Sequence, residues 1–311
     1  MAAPKILRRG SRRSPMWLAA AGALIVAAAC GGGLAQPSAL PTPTPVATPT
    51  PTPPPPRVAL ISIDGLRPDA LTPESAPNIL ALAERGSYTL AAQTIYPSTT
   101  LPGHTSMLTG VEPSVHGILF DEYRETFQLA TPTVLALAHS AGKHTVMVVG
   151  KTKLKQLAVA GTLDSFVLAT RGDTDVINEA IALIPAGFDL LVVLLPQTDQ
   201  TGHATGWLSA EYLEQVRQTD EAVGRLISLL PPETTVIVTA DHGGRLRTHG
   251  TRDQLDMTIP WIIAGPRAVH RGPLSRLVRT VDTTPTVLNL LGLPVPSSCA
   301  GKLVSEAFEP Q

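Results

Sequence analysis

Short apolar segments that alternate with helix-like segments limit most strongly how this chain can fold. The clearest is Asp189–Leu195, in which every residue after the aspartate is leucine or valine. A run this short between helical patterns is typical of a strand that is covered on both faces. Further strands are predicted at Val58–Ile63, His144–Val149, Thr234–Thr239 and Thr258–Ala264. The alternation predicts an α/β fold in three layers, α/β/α, around a mainly parallel central sheet.

The segments between these strands carry helical patterns. The longest, Ser209–Leu230, places Tyr212, Val216 and Val223 on one face. Other helices are predicted at Ala76–Ala83, Thr131–Ser140, Asp173–Ile184 and Thr283–Leu291, and an extended segment at Tyr88–Tyr96. The intervening segments are short, so we expect a small cap or none over the sheet.

Residues 1–29 have the layout of a secretory signal peptide. A basic head precedes the short apolar run Trp17–Ala29, and the small residues that end this run stand directly before Cys30. This arrangement predicts lipidation of Cys30, as in bacterial lipoproteins. An uncleaved signal anchor is the alternative, and the pair Arg12-Arg13 leaves Sec or twin-arginine export open.

Residues 31–56 alternate threonine and proline after a glycine run, which is typical of an extended, disordered tether. The sequence therefore predicts an exported membrane lipoprotein, on the cell surface or the periplasmic side of a membrane, with a catalytic domain over residues 57–311. Cys299 then has no cysteine partner, so we interpret it as structural.

The charge balance argues against a nucleic-acid binder. The formal net charge is −1, and the five basic residues in the first 29 make the remainder more acidic still. A protein that binds the phosphate backbone without sequence preference needs a basic surface. We therefore expect no specific nucleic-acid binding.

The stretch Pro97–Gly110 carries the signature of a helix start and end. A Ser/Thr-rich turn runs into Pro102, which lies near a first helical position, and Gly110 closes the segment. Thr100 would stand at the helix N-terminus, where backbone N–H groups favour an anion. The hydroxyl is either a helix cap or a nucleophile held against a phosphate, and this fragment alone favours the cap.

Acidic and imidazole side chains follow several of the predicted strands. They are Asp64, Asp199, His203, Asp241, His242 and His249. Each taken singly is as well explained by a turn or a solvated loop. Together they would meet at one edge of a parallel sheet, and carboxylate with neutral imidazole is a ligand set suited to zinc.

These residues resemble the type I phosphodiesterase/nucleotide pyrophosphatase family of the alkaline phosphatase superfamily. The resemblance runs from Ile61 to about Leu303. Its motifs are Ser62–Arg67, Thr100–His104, Leu108–Gly110, His116–Ile118, Asp199–His203, Glu211-Tyr212, Asp220, Asp241–Gly243, His249-Gly250, Asp282–Pro285 and Leu290–Gly292.

The resemblance implies an alkaline phosphatase-like fold and two Zn²⁺ ions, with Mn²⁺ or another divalent ion as a substitute. Asp199, His203 and His249 would hold one ion. Asp64, Asp241 and His242 would hold the other, together with the oxygen of Thr100. Thr100 would then be the nucleophile of a phosphate ester hydrolase that forms a phospho-threonine intermediate, because direct coordination activates a hydroxyl.

One position departs from the family pattern. Gly103 stands where the family commonly has an asparagine that donates to a phosphoryl oxygen, and it offers only its backbone N–H. Lys151 and Lys153 are candidate substitutes, since residues two apart share a face in an extended segment. They resemble a lysine pair of phosphonoacetate hydrolases, which makes a phosphonatase the alternative function. A solvated basic loop is equally compatible with the sequence.

The substrate class stays open between phosphorylated small molecules, nucleotides and lipid head groups, in mono- or diester form. A sulfatase is disfavoured, because Thr100 lacks the Cys or Ser context that formylglycine formation requires. A phosphoglycerate mutase-type isomerase is disfavoured because the chain has no room for its inserted domain. A non-catalytic, tethered metal-binding surface protein is the remaining alternative.

Overall fold

Eight strands form the central sheet of the computed structural model, which describes residues 55–269 and 271–309. The strands are β1 (Arg57–Ile63), β2 (Ser87–Gln93), β3 (Thr145–Val149), β4 (Ser165–Leu168), β5 (Leu190–Leu195), β6 (Thr234–Thr239), β7 (Thr258–Ala264) and β8 (Gly272–Pro273). Their order across the sheet is β4-β3-β5-β1-β6-β7-β2-β8. The strands from β4 to β6 in this order are mutually parallel, and β7 runs antiparallel to both β6 and β2. The predicted mainly parallel sheet is confirmed.

Helices cover the sheet in two groups. They are α1 (Pro77–Glu84), α2 (Thr100–Thr109), α3 (Pro113–His116), α4 (Val134–Ser140), α5 (Asp173–Leu183), α6 (Gln197–Thr205), α7 (Ala210–Leu229), α8 (Gln254–Met257) and α9 (Thr283–Leu290). One group packs α1, α5 and α6 around α7, and the other packs α2, α4 and α9 together. The predicted helices are confirmed to within three residues at each end. Ser209, for example, caps α7 by accepting from Tyr212 N.

The three strands at the centre of the sheet end at the same level. Ile63 of β1 pairs with Leu195 of β5, and Ser62 of β1 pairs with Thr239 of β6. The residues of β5 and β6 are buried throughout, as expected for strands covered on both faces. The segments that follow β1, β5 and β6 therefore meet at one edge of the sheet.

Several elements were not predicted, among them the short α3, α8 and β8 as well as β4 and α6. The sequence does not single out β4, whose residues are only half-buried and lie at the sheet edge. Helix α6 begins two residues after β5 ends and contains Asp199 and His203, in a segment for which the sequence predicted no helix. Its low apolar content explains why it was missed, since a helix rich in polar residues gives no hydrophobic periodicity.

The predictions for the signal segment, for Cys30 and for all but the last two residues of the tether lie outside the described residues. Among residues 55–269 and 271–309, no helix combines the length and hydropathy needed to cross a bilayer. Cys299 is half-buried, and its Sγ lies 3.4 Å from the carbonyl oxygen of Gly110 at the end of α2.

Candidate active site

The first group of candidate ligands is formed by Asp199, His203 and His249. Helix α6 places Asp199 and His203 one turn apart on the same face. Asp199 Oδ1 lies 3.4 Å from Nε2 of each histidine, and the two Nε2 atoms are 3.1 Å apart. Ligands about 2.0–2.1 Å from a tetrahedral zinc ion are separated by about 3.3–3.4 Å. The three atoms thus form a triangle of the size that one zinc ion requires.

The hydrogen bonds behind this triangle orient the histidines toward a cation. His203 Nδ1 lies 2.9 Å from the carbonyl oxygen of Arg247, and His249 Nδ1 lies 2.9 Å from that of Ser98. A carbonyl only accepts, so Nδ1 carries the proton and the Nε2 lone pairs face each other. Asp199 Oδ1 is buried beside them with no hydrogen-bond partner. Three converging lone pairs without a proton are stable only around a positive charge.

The second group joins Asp64, Asp241 and His242 to the hydroxyl of Thr100. His242 Nε2 lies 3.4 Å from Asp64 Oδ1 and 3.3 Å from Asp241 Oδ2. Thr100 Oγ1 lies 3.4 Å from Asp64 Oδ1 and 3.5 Å from His242 Nε2. His242 Nδ1 lies 2.7 Å from the carbonyl oxygen of Gly243, so Nε2 is again the ring nitrogen that can bind a metal ion. These separations also match the edges of a tetrahedral site.

The electrostatics of the cluster favour bound cations. Burial, reinforced by the charge of Asp241, raises the pKa of Asp64 to about 7. Burial, reinforced by the charge of His242, lowers the pKa of His249 to about 4, so this imidazole is neutral at pH 7. A buried carboxylate whose pKa is raised by burial and by its carboxylate neighbours, beside the neutral imidazole of His249, is expected where a metal ion supplies the missing positive charge.

Thr100 is the first residue of α2, and the cap position before it is occupied by Thr99. The sequence alone leaves open whether Thr100 itself is the cap. Thr99 has extended backbone, with φ −126° and ψ 159°, and Gly110 ends the helix at φ 71°. The side chain of Thr100 is buried and faces the second ligand group. The hydroxyl of Thr100 thus lies beside Asp64 and His242 rather than at the helix cap.

His104 belongs to the site although the sequence gave it no role. Its Nδ1 lies 2.9 Å from the carbonyl oxygen of Thr100 and 3.3 Å from Asp241 Oδ2, and its Nε2 lies 3.0 Å from Ser62 Oγ. Both ring nitrogens are occupied, so His104 positions Thr100 and Asp241. The spacing of one helical turn between Thr100 and His104 is the signal that could have identified it.

Lys151 reaches the centre of the site. Its Nζ lies 2.5 Å from Asp199 Oδ2, 2.7 Å from Asp64 Oδ2 and 3.3 Å from Thr100 Oγ1. Burial alone would lower the pKa of Lys151, but the charges of Asp64 and Asp199 outweigh it and raise the pKa. The side chain is therefore an ammonium that bridges the two ligand groups beside the hydroxyl.

Lys153 does not share this face, contrary to the prediction. Residues Thr152–Leu157 form a 3-10 helix rather than an extended segment, and at three residues per turn positions two apart point in different directions. Lys153 Nζ instead lies 2.6 Å from Asp121 Oδ2, while Asp121 Oδ1 accepts from Leu101 N at 2.7 Å. Lys153 thus holds a carboxylate that caps the start of α2.

Gly103 also differs from the expectation. Its backbone N–H donates to the carbonyl oxygen of Thr99 at 2.9 Å, so it is engaged within α2. A Cβ at this position would lie 2.9 Å from the carbonyl oxygen of Asp241. This close approach explains the glycine: an asparagine would require the Asp241 backbone to move. Lys151 is the donor group that the structure places near Thr100 Oγ1.

Comparison with known proteins identifies the family. The family model for type I phosphodiesterase / nucleotide pyrophosphatase matches residues 58–134 and 153–247. GPI ethanolamine phosphate transferase 3, catalytic subunit, of Mus musculus is 23% identical over 286 residues, which cover 81% of this chain and 26% of the transferase. The chain thus spans about a quarter of the length of this relative.

Two solved structures show the same fold. Murine ectonucleotide pyrophosphatase/phosphodiesterase 5, solved in complex with AMP, superposes with a TM-score of 0.67 and 15% identity, over 77% of this chain and 96% of that one. A 2-O GAG sulfatase superposes with a TM-score of 0.65 and 17% identity, over 81% and 74% of the two chains. The fold is that of the alkaline phosphatase superfamily, and by its family match the chain belongs to the type I phosphodiesterase/nucleotide pyrophosphatase family.

Proposed function

We propose that this protein is a zinc-dependent hydrolase of phosphate esters that acts through a covalent intermediate on Thr100. The observation that carries the proposal is the position of the Thr100 hydroxyl as a corner of the second ligand group, 3.4 Å from Asp64 Oδ1 and 3.5 Å from His242 Nε2. No such placement is needed for a helix cap, and Thr99 already occupies the cap position.

The two ligand groups would each hold one divalent ion, and the donor sets fit zinc. Asp199, His203 and His249 form one site. Asp64, Asp241 and His242, with Thr100, form the other. When bound, such a pair of ions supplies Lewis-acid stabilisation of the attacking and leaving oxygens during in-line displacement at phosphorus.

The side chains of the protein then do the remaining work. Thr100 Oγ1 forms a bond to phosphorus while the bond to the leaving oxygen breaks, and the hydroxyl proton ends on the leaving alcohol. Water next breaks the phospho-Thr100 bond and restores the hydroxyl. The Lys151 ammonium, 3.3 Å from Thr100 Oγ1, is placed to donate to a non-bridging phosphoryl oxygen. His104 keeps the Thr100 carbonyl and Asp241 in place.

The structure favours phosphate esters over the carboxylated phosphonates of the alternative function. A phosphonoacetate-like substrate needs two cationic contacts, and Lys153 is paired with Asp121 rather than facing the carboxylate cluster.

The similarity to an ethanolamine phosphate transferase supports a second candidate, in which an alcohol rather than water accepts the phosphoryl group from Thr100.

A parallel turnover assay tests the proposal. The zinc-loaded protein is offered p-nitrophenyl phosphate, a p-nitrophenyl phosphodiester, phosphonoacetate and p-nitrophenyl sulfate at equal concentration. We expect kcat/KM to be highest for one of the two phosphate esters. A preference for phosphonoacetate or for the sulfate ester would refute the proposal, and added alcohols that divert phosphate from water would support the transferase candidate.

Lys151→Met should lower kcat/KM for the preferred ester by about a hundredfold or more, because one donor to the phosphoryl oxygens is lost. Lys153→Met is the matched control. It breaks a partly exposed ion pair of small energetic value and should stay within a few-fold of wild type. Both variants are measured at saturating zinc, so that altered metal affinity does not contribute. Equal losses in the two variants would contradict the role given to Lys151.

We also propose that the protein is exported and anchored by a lipid on Cys30, with residues 31–56 as a spacer. The wild-type chain should then begin at a lipidated Cys30 and fractionate with membranes, and Cys30→Ser should leave an unlipidated precursor that keeps residues 1–29. Fractionation, together with mass spectrometry of the N-terminal peptide, measures this. A wild-type protein found in the cytoplasm with its first residues intact would contradict the proposal.

A further inference from the structure

Two exposed leucines adopt a backbone conformation that normally belongs to glycine. Leu208 has φ 65° and Leu246 has φ 50°. At positive φ the Cβ of an L-residue crowds the following carbonyl oxygen, and a branched hydrophobic side chain gains no local hydrogen bond in return. Leu246 is nevertheless 75% exposed and Leu208 is 36% exposed. Packing of the core explains neither the backbone strain at these two leucines nor the exposure of their side chains.

The backbone around these leucines is held by well-formed hydrogen bonds. Arg245 and Thr248 exchange backbone hydrogen bonds of 2.9 and 3.0 Å, which close a two-residue turn over Leu246 and Arg247. Trp207 N donates to the carbonyl oxygen of Leu246 at 2.7 Å and joins this turn to the loop after α6. Glycine or asparagine would satisfy such a turn with less strain. The turn itself therefore does not require leucine at position 246, and we infer that the side chain of Leu246 has a role of its own.

The two leucines line a cavity that adjoins the first ligand group. It has a volume of about 510 Å³ and is bounded by residues 205–209 with Leu246 and Arg247. His203 links it to the site, because its Nδ1 bonds to the Arg247 carbonyl and its ring packs edge-on against Trp207 at 5.2 Å between centroids. The His203 side chain is 45% exposed, whereas that of His249 is 7% exposed. Of these two histidines, His203 is thus the more exposed one, and it is the one that contacts Trp207 and Arg247 of the cavity lining.

The lining of the cavity indicates what it binds. The accessible apolar surface is aliphatic, since Trp207 is buried and donates its indole N–H to the carbonyl oxygen of Gly65. Stacking of a nucleobase is favoured by an exposed aromatic face, whereas Trp207, the aromatic residue of the lining, is buried; Arg247 adds one exposed cation to the lining. A flexible alkyl chain needs only aliphatic contact.

We propose that the cavity bounded by Leu208 and Leu246 is a subsite for an alkyl ester group of the substrate, so that the preferred substrates are phosphodiesters with an apolar chain. The proposal rests on the function proposed above. It assigns the two leucines to substrate selection and gives them no part in the chemical step.

A series of p-nitrophenyl alkyl phosphates with methyl, propyl and hexyl groups tests the subsite. The leaving group is constant, so differences report binding of the alkyl chain. We expect kcat/KM to rise about twofold per methylene, as for a half-buried chain. In Leu246→Gly the rise of kcat/KM with chain length should largely disappear, and the melting temperature should increase because the turn is relaxed. Leu277→Ala, at another exposed leucine, should leave the chain-length dependence unchanged.

A binding measurement separates this proposal from the proposed function. Methyl-, propyl- and hexylphosphonate are titrated calorimetrically into the zinc-loaded Thr100→Ala protein, which needs no turnover. Affinity that rises with chain length in Thr100→Ala, but is equal for the three phosphonates in the double variant Thr100→Ala/Leu246→Gly, would support the subsite. Equal affinities, or equal kcat/KM values along the ester series in wild type, would overturn it while leaving the hydrolase intact. Absence of turnover for every ester would overturn the proposed function instead.

Discussion

Replacing Thr100 by alanine should reduce turnover of the preferred phosphate ester by about three to six orders of magnitude, as the loss of a nucleophile does in other enzymes. The hydroxyl is buried within 3.5 Å of Asp64 and His242, and the described residues place no second hydroxyl in the same hydrogen-bonding position. Six protein side chains of the two ligand groups remain, so the fold and most of the zinc affinity should persist. Steady-state kinetics, circular dichroism and metal analysis on the same preparation measure all three.

Two further variants identify which hydroxyl reacts. Thr100→Ser keeps the hydroxyl without its methyl group and should retain part of the activity. Thr99→Ala removes the cap residue, whose side chain makes no capping hydrogen bond, and should retain most of it. Acid quench during turnover should trap phosphate on Thr100. If Thr100→Ala hydrolyses the ester at nearly the wild-type rate, the covalent mechanism is wrong and water or Thr99 must attack.

Asp199→Ala should abolish binding of one metal ion and lower turnover by several orders of magnitude. Asp199 Oδ1 is the only carboxylate corner of the triangle with His203 and His249 in the described structure, and two neutral imidazoles alone form an incomplete site for zinc. Metal analysis of purified protein should fall from about two zinc ions per chain to about one. Exhaustive chelation of the wild type should abolish activity, and readdition of zinc should restore it.

Asp220→Asn is the control for burial of a carboxylate. Asp220 is as buried as Asp199, but its carboxylate accepts from Asn78 N and Ile79 N at the start of α1 and belongs to neither ligand group. We expect this variant to be less stable, with an unchanged zinc content in the folded fraction. Equal zinc loss in the two variants would mean that metal binding follows general stability. Full activity of the chelated wild type, with no metal detected, would rule out the metal-dependent mechanism.

The fold was largely predictable because its signals are local. The apolar runs of β5 and β6 are too short for helices and lack the alternation of a half-exposed strand, so they specify buried parallel strands. The position of Asp64 and Asp241 follows from this without further information, since parallel strands end at a common edge. The polar helix α6 lacks such a signal, although the spacing of Asp199 and His203 is that of one helical turn.

Residues whose role depends on a distant neighbour were not predictable. The sequence shows that Lys151 and Lys153 are two apart, but the 3-10 helix that separates their directions depends on tertiary packing. From the sequence alone, Gly103 indicates the loss of a hydrogen-bond donor to the substrate. The structure shows why a larger residue is excluded, because a Cβ at this position would lie too close to the carbonyl oxygen of Asp241. Asp121 has no motif at all, because its partner Leu101 N lies in another element.

The parallel pairing of β1 with both β5 and β6 also determines when the site can exist during folding. Gly65 N donates to Asp241 Oδ1 across 176 residues of sequence, and Asp64 meets Asp199 only after β1 and β5 have paired. Contacts of such long sequence separation form late and slowly. The unfolded chain therefore offers only the local pairs Asp199–His203 and Asp241–His242, and metal should bind almost entirely to the native state and stabilise it. A chain translocated in the unfolded state would thus acquire its ions at its destination, so the zinc supply outside the cytoplasm would control how much active protein accumulates.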